Sequence, residues 1–123
     1  TYDVTPDHTA SAREVLVLLR QTPRTFVRQL DFLTSAGFLD GGDGRKNLRM
    51  RGAGPTMVIS DLCVLTPESG TKELVLTSLH PGVTVEVARD ATGWDLKVAT
   101  EVLQEPPPTE IELTSLRAMQ PAA

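Results

Sequence analysis

The sequence is poor in the residues that build metal sites and disulfide frameworks. It has one cysteine, Cys63, and two histidines, His8 and His80. A single cysteine excludes an internal disulfide and any multi-cysteine metal site. Neither histidine has a second metal-type ligand at helical spacing. Aromatic residues make up only 4% of the chain, so a core has to come from Val, Leu and Ile. Positive charge is not in excess either. Twelve Lys and Arg stand against sixteen Asp and Glu, which speaks against broad electrostatic binding of nucleic acid. The longest aliphatic run, Val15–Leu19, falls far short of the roughly 20 apolar residues that cross a bilayer. No charged-then-apolar leader with a small-residue cleavage site opens the sequence. A cytoplasmic protein without membrane contact is expected.

What is present fits one globular unit. With 123 residues, 40% hydrophobic and 23% charged, residues 1–123 are expected to form a single domain with a real core. Residues Thr1 to Ala12 are polar and read as an extended lead-in. Val15–Leu19 is apolar at consecutive positions, the pattern of a strand buried on both faces, and Pro23 closes the segment. Phe32–Thr34 alternates like a strand, while Thr25–Leu30 fits helix or strand equally. Gly37 to Pro55 is dense in glycine and reads as a long loop, of a length usually reserved for function or partner contact. Met57–Leu65 and Lys72–Leu79 read as two strands of a hairpin, joined by Thr66–Thr71.

Two capped helices and a brief strand follow. Thr84 caps the first helix, Glu86 complements its dipole, and Gly93 supplies the stop. Asp95–Ala99 alternates as a short strand. Pro106–Pro108 is stiff and extended. Thr109 and Glu112 form a capping box for the last helix, whose stripe is Leu113, Leu116 and Met119, ended by Pro121. The expected fold class is α/β, strands first and capped helices late.

The polar residues that could carry chemistry each have a plain structural reading. His80 precedes Pro81-Gly82 and fits a turn histidine bonded to backbone. Cys63, between Leu62 and Val64, fits a small buried hydrophobe. Ser60 and Asp61 interrupt an apolar strand, so they must be hydrogen-bonded or lie at a site edge; Asp61 capping nearby amides is the simpler account. Arg45, Lys46, Arg49 and Arg51 cluster in the glycine-rich loop, where they either meet phosphates or are solvated. Gly52-Ala53-Gly54-Pro55 precedes a strand instead of opening a helix and is no dinucleotide fingerprint. Thr1 as an amino-terminal nucleophile has only its numbering in its favour.

Five blocks in register resemble one family. They are Ala10–Gln21, Arg24–Gly37, Gly52–Leu65, Leu76–Gly93 and Pro106–Arg117, and together they resemble the β subunit of family I coenzyme A transferases. The glutaconate and 3-oxoadipate enzymes share this pattern. The resemblance covers nearly everything from residue 10 onward but only the carboxy-terminal half of the longer family subunits. Thr1 to Asp7 also lack the glycine-rich stretch that the family carries there. The resemblance implies the carboxy-terminal portion of an open α/β CoA-transferase-type sheet with late capped helices. It implies coenzyme A thioesters as substrates, no permanently bound cofactor, and partners in an α subunit and the missing amino-terminal half of the β subunit, hence a hetero-oligomer.

Family members relay coenzyme A through a glutamyl thioester. That glutamate belongs to a motif absent here, and Glu14, Glu68, Glu73, Glu86, Glu101, Glu105, Glu110 and Glu112 all have structural explanations. No catalytic residue is carried over. For the substrate, ligands in open α/β sheets collect beyond the carboxyl ends of strands. Phe32–Gly37 would leave such a strand for the glycine-rich loop, so Ser35 and Gly37 are expected to line the acyl-CoA cleft, with Arg45–Arg51 nearer solvent. Two other readings stay open: a non-catalytic interaction module of this fold, and an acyl-CoA hydrolase or decarboxylase built on it.

Overall fold

The computed structural model describes residues 12–33, 35 and 37–120. Thr1, His8, Thr34 and Pro121, each given a reading above, lie outside the described residues.

The chain forms strands β1 (Val15–Leu18), β2 (Pro55–Ile59), β3 (Cys63–Pro67), β4 (Leu74–Leu79) and β5 (Lys97–Gln104). Helix α1 (Gly44–Asn47) precedes β2, α2 (Val85–Asp90) lies between β4 and β5, and α3 (Glu110–Met119) follows β5. The strands make one open sheet in the order β1-β2-β3-β4-β5. β1 pairs parallel with β2, and β4 parallel with β5, while β3 runs antiparallel to both its neighbours. The connections explain this. Short turns at Ser60–Leu62 and Glu68–Glu73 reverse the chain, whereas the β4–β5 crossover passes through α2. Four strands therefore point one way and β3 alone the other. The fold class is α/β as expected.

Several elements depart from the sequence reading. Met57–Leu65 is not one strand but two, because Ser60 and Asp61 sit in the β2–β3 turn. The expected hairpin is real and is β3–β4, although Thr66 and Pro67 belong to its first strand. Val15–Leu18 is not buried on both faces. It is a sheet edge, with Val15 and Val17 half-buried and Leu16 and Leu18 52% and 71% exposed. Phe32 and Leu33 form no strand, and Phe32 is 79% exposed. The strand expected at Asp95–Ala99 starts later and runs to Gln104.

The core is aliphatic, as scarcity of aromatics requires. Val58, Cys63, Leu65, Leu76 and Leu79 from the sheet meet Phe26, Ala88 and Leu96. Phe26 stacks on Trp94 with centroids 5.9 Å apart. Thr84 caps α2 by accepting from the Val87 amide at 3.3 Å, but the helix ends at Asp90 with Ala91 as C-cap. Gly93 serves packing instead: its amide donates to the Phe26 carbonyl, and a Cβ there would lie 2.5 Å from that oxygen. The Thr109–Glu112 capping box of α3 is present, with both bonds at 3.2 Å. No residue of α3 is buried, and Ile111 and Met119 are 79% and 75% exposed.

Candidate functional site

Two regions collect polar side chains, at opposite ends of the strands. The first lies where β1, β2 and β4 end. Here the Ser60–Leu62 turn brings Gln21, Ser60, Asp61, Cys63 and His80 together. Ser60 Oγ donates to Gln21 Oε1 at 2.7 Å and accepts from the Leu62 and Cys63 amides, both at 3.0 Å. Gln21 Nε2 donates to the Ala88 carbonyl at 3.1 Å and to Thr92 Oγ1 at 2.9 Å, which ties β1 to α2. Asp61 Oδ1 accepts from the Gln21 amide at 2.8 Å. Asp61 does cap a backbone amide, but one forty positions away.

His80 Nε2 donates to the Ser60 carbonyl at 2.8 Å, and its own amide donates to the Leu62 carbonyl at 3.0 Å. This is the backbone-bonded turn histidine that the sequence suggested. Cys63 Sγ donates to Gln21 Oε1 at 3.1 Å. Burial raises the Cys63 thiol above its ordinary value of 9.0, outweighing the hydrogen bonds from Ser60 and Gln21. A thiol held protonated is a packing group and a donor, not a nucleophile. The network is saturated and works as a clamp between strand ends and helix. Gln21, its hub, has no sequence signal of its own.

The second region is the glycine-rich loop, at the end where β1, β2, β4 and β5 begin. Ser35 and Gly37, expected to line the substrate cleft, are both half-buried here. The Gly37 carbonyl accepts from Arg45 Nη1 at 3.0 Å, and a Cβ on Gly37 would touch Pro55 Cγ at 3.7 Å. Three premises of that expectation need correction. Phe32 and Leu33 form no strand leading into Ser35, Gly37 is not among the glycines with positive φ, and the loop lies where four strands begin, not beyond their carboxyl ends. Arg45 also departs from the expected solvated cluster: it is 5% exposed and lies across Gly54, with Nη2 donating to the Arg51 carbonyl at 3.1 Å. A guanidinium that bonds two carbonyls of its own loop pins that loop. Lys46, Arg49 and Arg51 are exposed.

A cavity of about 350 Å³ opens beside this loop, lined by Phe38, Asp43, Lys46 and Met50 on one side and Ser69 and Lys72 of the β3–β4 turn on the other. A neighbouring hollow of about 310 Å³ shares Phe38, Ser69 and Lys72 and reaches Pro55 and Thr56. A third, apolar hollow of about 280 Å³ lies under Val17, Leu19, Phe26, Leu30 and Trp94. None of the three is lined by a glutamate among the described residues. Several glutamates are engaged elsewhere: Glu14 accepts from Thr56, Glu105 from Ser78, Glu112 caps α3, and Glu68 and Glu73 each hold Lys97 at 3.1 Å. Among the described residues no group of His, Cys, Asp and Glu side chains is arranged to hold a metal, and no helix is long and apolar enough to cross a membrane.

An open mixed sheet of this order, with a helical crossover before its last strand, recurs within a solved coenzyme A-transferase. The solved structure of glutaconate coenzyme A-transferase from Acidaminococcus fermentans matches it with a TM-score of 0.80 and 25% identity, over 95% of this chain and 46% of that one. In sequence the chain is 49% identical over 115 residues to the β subunit of 3-oxoadipate CoA-transferase from Pseudomonas knackmussii, covering 94% of this chain and 44% of that protein. It is 32% identical to the β subunit of glutaconate CoA-transferase from A. fermentans, over 85% of this chain and 40% of that protein. The chain thus resembles the β subunits of these transferases and spans less than half the length of the relatives it matches. The decarboxylase AibA/AibB shares the fold alone, at a TM-score of 0.60 and 23% identity. No family model matches the sequence.

Proposed function

We propose that this chain is part of the β subunit of a CoA-transferase, which moves coenzyme A between an acyl-CoA and a dicarboxylic or 3-oxo acid. The observation that carries this reading is the 49% identity to the β subunit of a 3-oxoadipate CoA-transferase across 94% of the chain. The relay glutamate stands outside these residues. Its carboxylate attacks the acyl-CoA carbonyl and expels the coenzyme A thiolate, leaving a mixed anhydride; the thiolate then attacks the glutamyl carbonyl and releases the acid. Partners are an α subunit and the amino-terminal half of the β subunit, in a cytoplasmic hetero-oligomer. The acyl-CoA is a substrate and no resident cofactor is needed. The contribution of this chain is to complete the sheet and to wall the substrate cleft, with Ser35 and Gly37 on that wall.

The test uses the full-length β subunit co-purified with its α subunit, against the isolated 123-residue chain. With succinyl-CoA and 3-oxoadipate or glutaconate, the assembly is expected to form the new acyl-CoA and the isolated chain none. Release of free coenzyme A or of carbon dioxide without an acceptor acid would instead favour a hydrolase or decarboxylase. In the assembly, Gly37→Val and Ser35→Ala are expected to raise the acyl-CoA KM. Among the described residues a Cβ on Gly37 would make an ordinary contact with Pro55 Cγ at 3.7 Å, and denaturation midpoints measured alongside the constants separate an effect of the valine on the cleft from one on the fold. Unchanged constants in both variants would place the substrate elsewhere.

A further inference from the structure

The sequence singled out a basic glycine-rich loop, and the proposed transfer chemistry does not use it. Lys46 and Lys72 approach one cavity from two segments, the loop and the β3–β4 turn. The chain carries a net charge of −4, yet Asp43 is the only acid among the described residues that line this cavity. The ion pairs among the described residues are both at Lys97, so neither Lys46 nor Lys72 has a carboxylate within ion-pair distance there. Lys72 lies over the Phe38 ring, its Nζ 5.4 Å from the centroid.

The cavity is also pre-formed. The Gly42 amide donates to the Thr71 carbonyl at 3.0 Å, and Gly41 packs so closely that a Cβ would sit 2.7 Å from the same oxygen. These contacts clamp the loop against the turn. Lys72 itself holds φ +65°, a conformation that non-glycine residues seldom adopt, and its amide donates to the Glu68 carbonyl at 2.9 Å. Two ammonium groups, the Ser69 hydroxyl and an aromatic wall in a fixed hollow suit a phosphorylated nucleoside.

We infer that this cleft binds the phosphate groups of the coenzyme A moiety, with Lys46 and Lys72 as the charged contacts. The inference rests on the CoA-transferase reading and deepens it. It sets the phosphates beside the Ser35–Gly37 wall, since Gly37 and the cleft share Arg45 as a neighbour.

The experiment uses the assembled enzyme and three variants: Lys46→Gln, Lys72→Gln and Lys72→Arg. The probes are acyl-CoA in steady state, and adenosine 3′,5′-bisphosphate and pyrophosphate by calorimetry. Each glutamine variant is expected to raise the acyl-CoA KM about tenfold, the scale of one charge-assisted contact, while kcat and the acceptor-acid KM hold. Bisphosphate and pyrophosphate binding should fall in parallel, and Lys72→Arg should restore both. Wild-type turnover with unchanged constants and unchanged probe binding in the glutamine variants overturns the inference and leaves the transferase reading intact. A wild-type assembly without transferase activity overturns that reading, and calorimetry then decides the inference alone: probe binding lost in the glutamine variants supports it, and absent or unaffected binding overturns it. Glutamine variants that no longer assemble with the α subunit also overturn it, because the cleft would then be a protein interface.

Discussion

Among single residues, Gln21 carries more of the structure than its chemistry advertises. One amide side chain accepts from Ser60 and Cys63 and donates to Ala88 and Thr92, so strand end, turn and helix share a hub. Gln21→Leu keeps the volume and strips the four side-chain bonds, leaving the Ser60 hydroxyl only the longer bond to the Cys63 carbonyl at 3.2 Å and the Ala88 carbonyl without its Gln21 donor. A loss of about 1–3 kcal/mol in urea unfolding is expected. An unchanged midpoint at equal slope would show that the network is ornamental. Cys63 adds a pH signature. Its thiol is raised from 9.0 in the folded chain, so above that pH the unfolded state sheds its proton first. Stability therefore falls as pH rises from about 9 towards the folded value, because the unfolded state then binds fewer protons. Cys63→Ala should flatten that part of the midpoint-against-pH curve, and a slope identical to the parent would refute the assignment.

None of these partnerships is legible in the sequence. Ser60 and Gln21 are 39 positions apart, and Gln21 and Thr92 are 71. A lone glutamine after an apolar run carries no pattern that reports such distances. His80 is easier, because the Pro81-Gly82 turn beside it already limits what its ring can reach. Arg45 misleads for the opposite reason: its charged neighbours suggest solvent, and only the close approach at Gly54 buries it.

Among the elements, those set by local chemistry are the most readable. The Thr109–Glu112 box depends on residues three apart, and the structure contains both of its bonds. Thr109→Ala should cost about 0.5–2 kcal/mol at the start of α3, read from helical circular dichroism during denaturation. A parent-like transition would mean that the frayed and capped helices contribute equally. The β2–β3 turn shows where periodicity misleads. Met57–Leu65 is apolar at both ends, so the Ser60-Asp61 pair that breaks it reads as polar residues within a strand. Turn-forming Ser and Asp side by side are the signal that separates the two strands. Val15–Leu18 misleads differently, since a continuous apolar run reads the same in a central strand and at an edge whose leucines face outward. In the loop, Gly52 holds φ +75°, and a Cβ there would collide with the Ala12 carbonyl. Gly52→Ala is accordingly expected to loosen the start of β1, seen as faster amide exchange at Ala53, whose N–H donates to Arg13. Unaltered exchange would show that the backbone absorbs the methyl.

Across the whole molecule, the exposed apolar surface fits a chain that completes a larger assembly. Leu16 and Leu18 on the β1 edge, Phe32 and Leu33 beyond it, and Ile111 and Met119 on α3 are all more than half exposed. Contiguous apolar surface of this kind is what an interface covers. The family pattern in the sequence points the same way, because five blocks keep their order even where single strands defy their local pattern. Everything proposed for this chain turns on its belonging to a CoA-transferase whose relay glutamate lies outside it. Intact-mass and peptide mass spectrometry of the full assembly, after incubation with acyl-CoA and no acceptor, decides the matter. A coenzyme A adduct is expected on a glutamate that is none of the eight in these 123 residues. Turnover without any such adduct, or an adduct on a glutamate between Glu14 and Glu112, would refute the proposal.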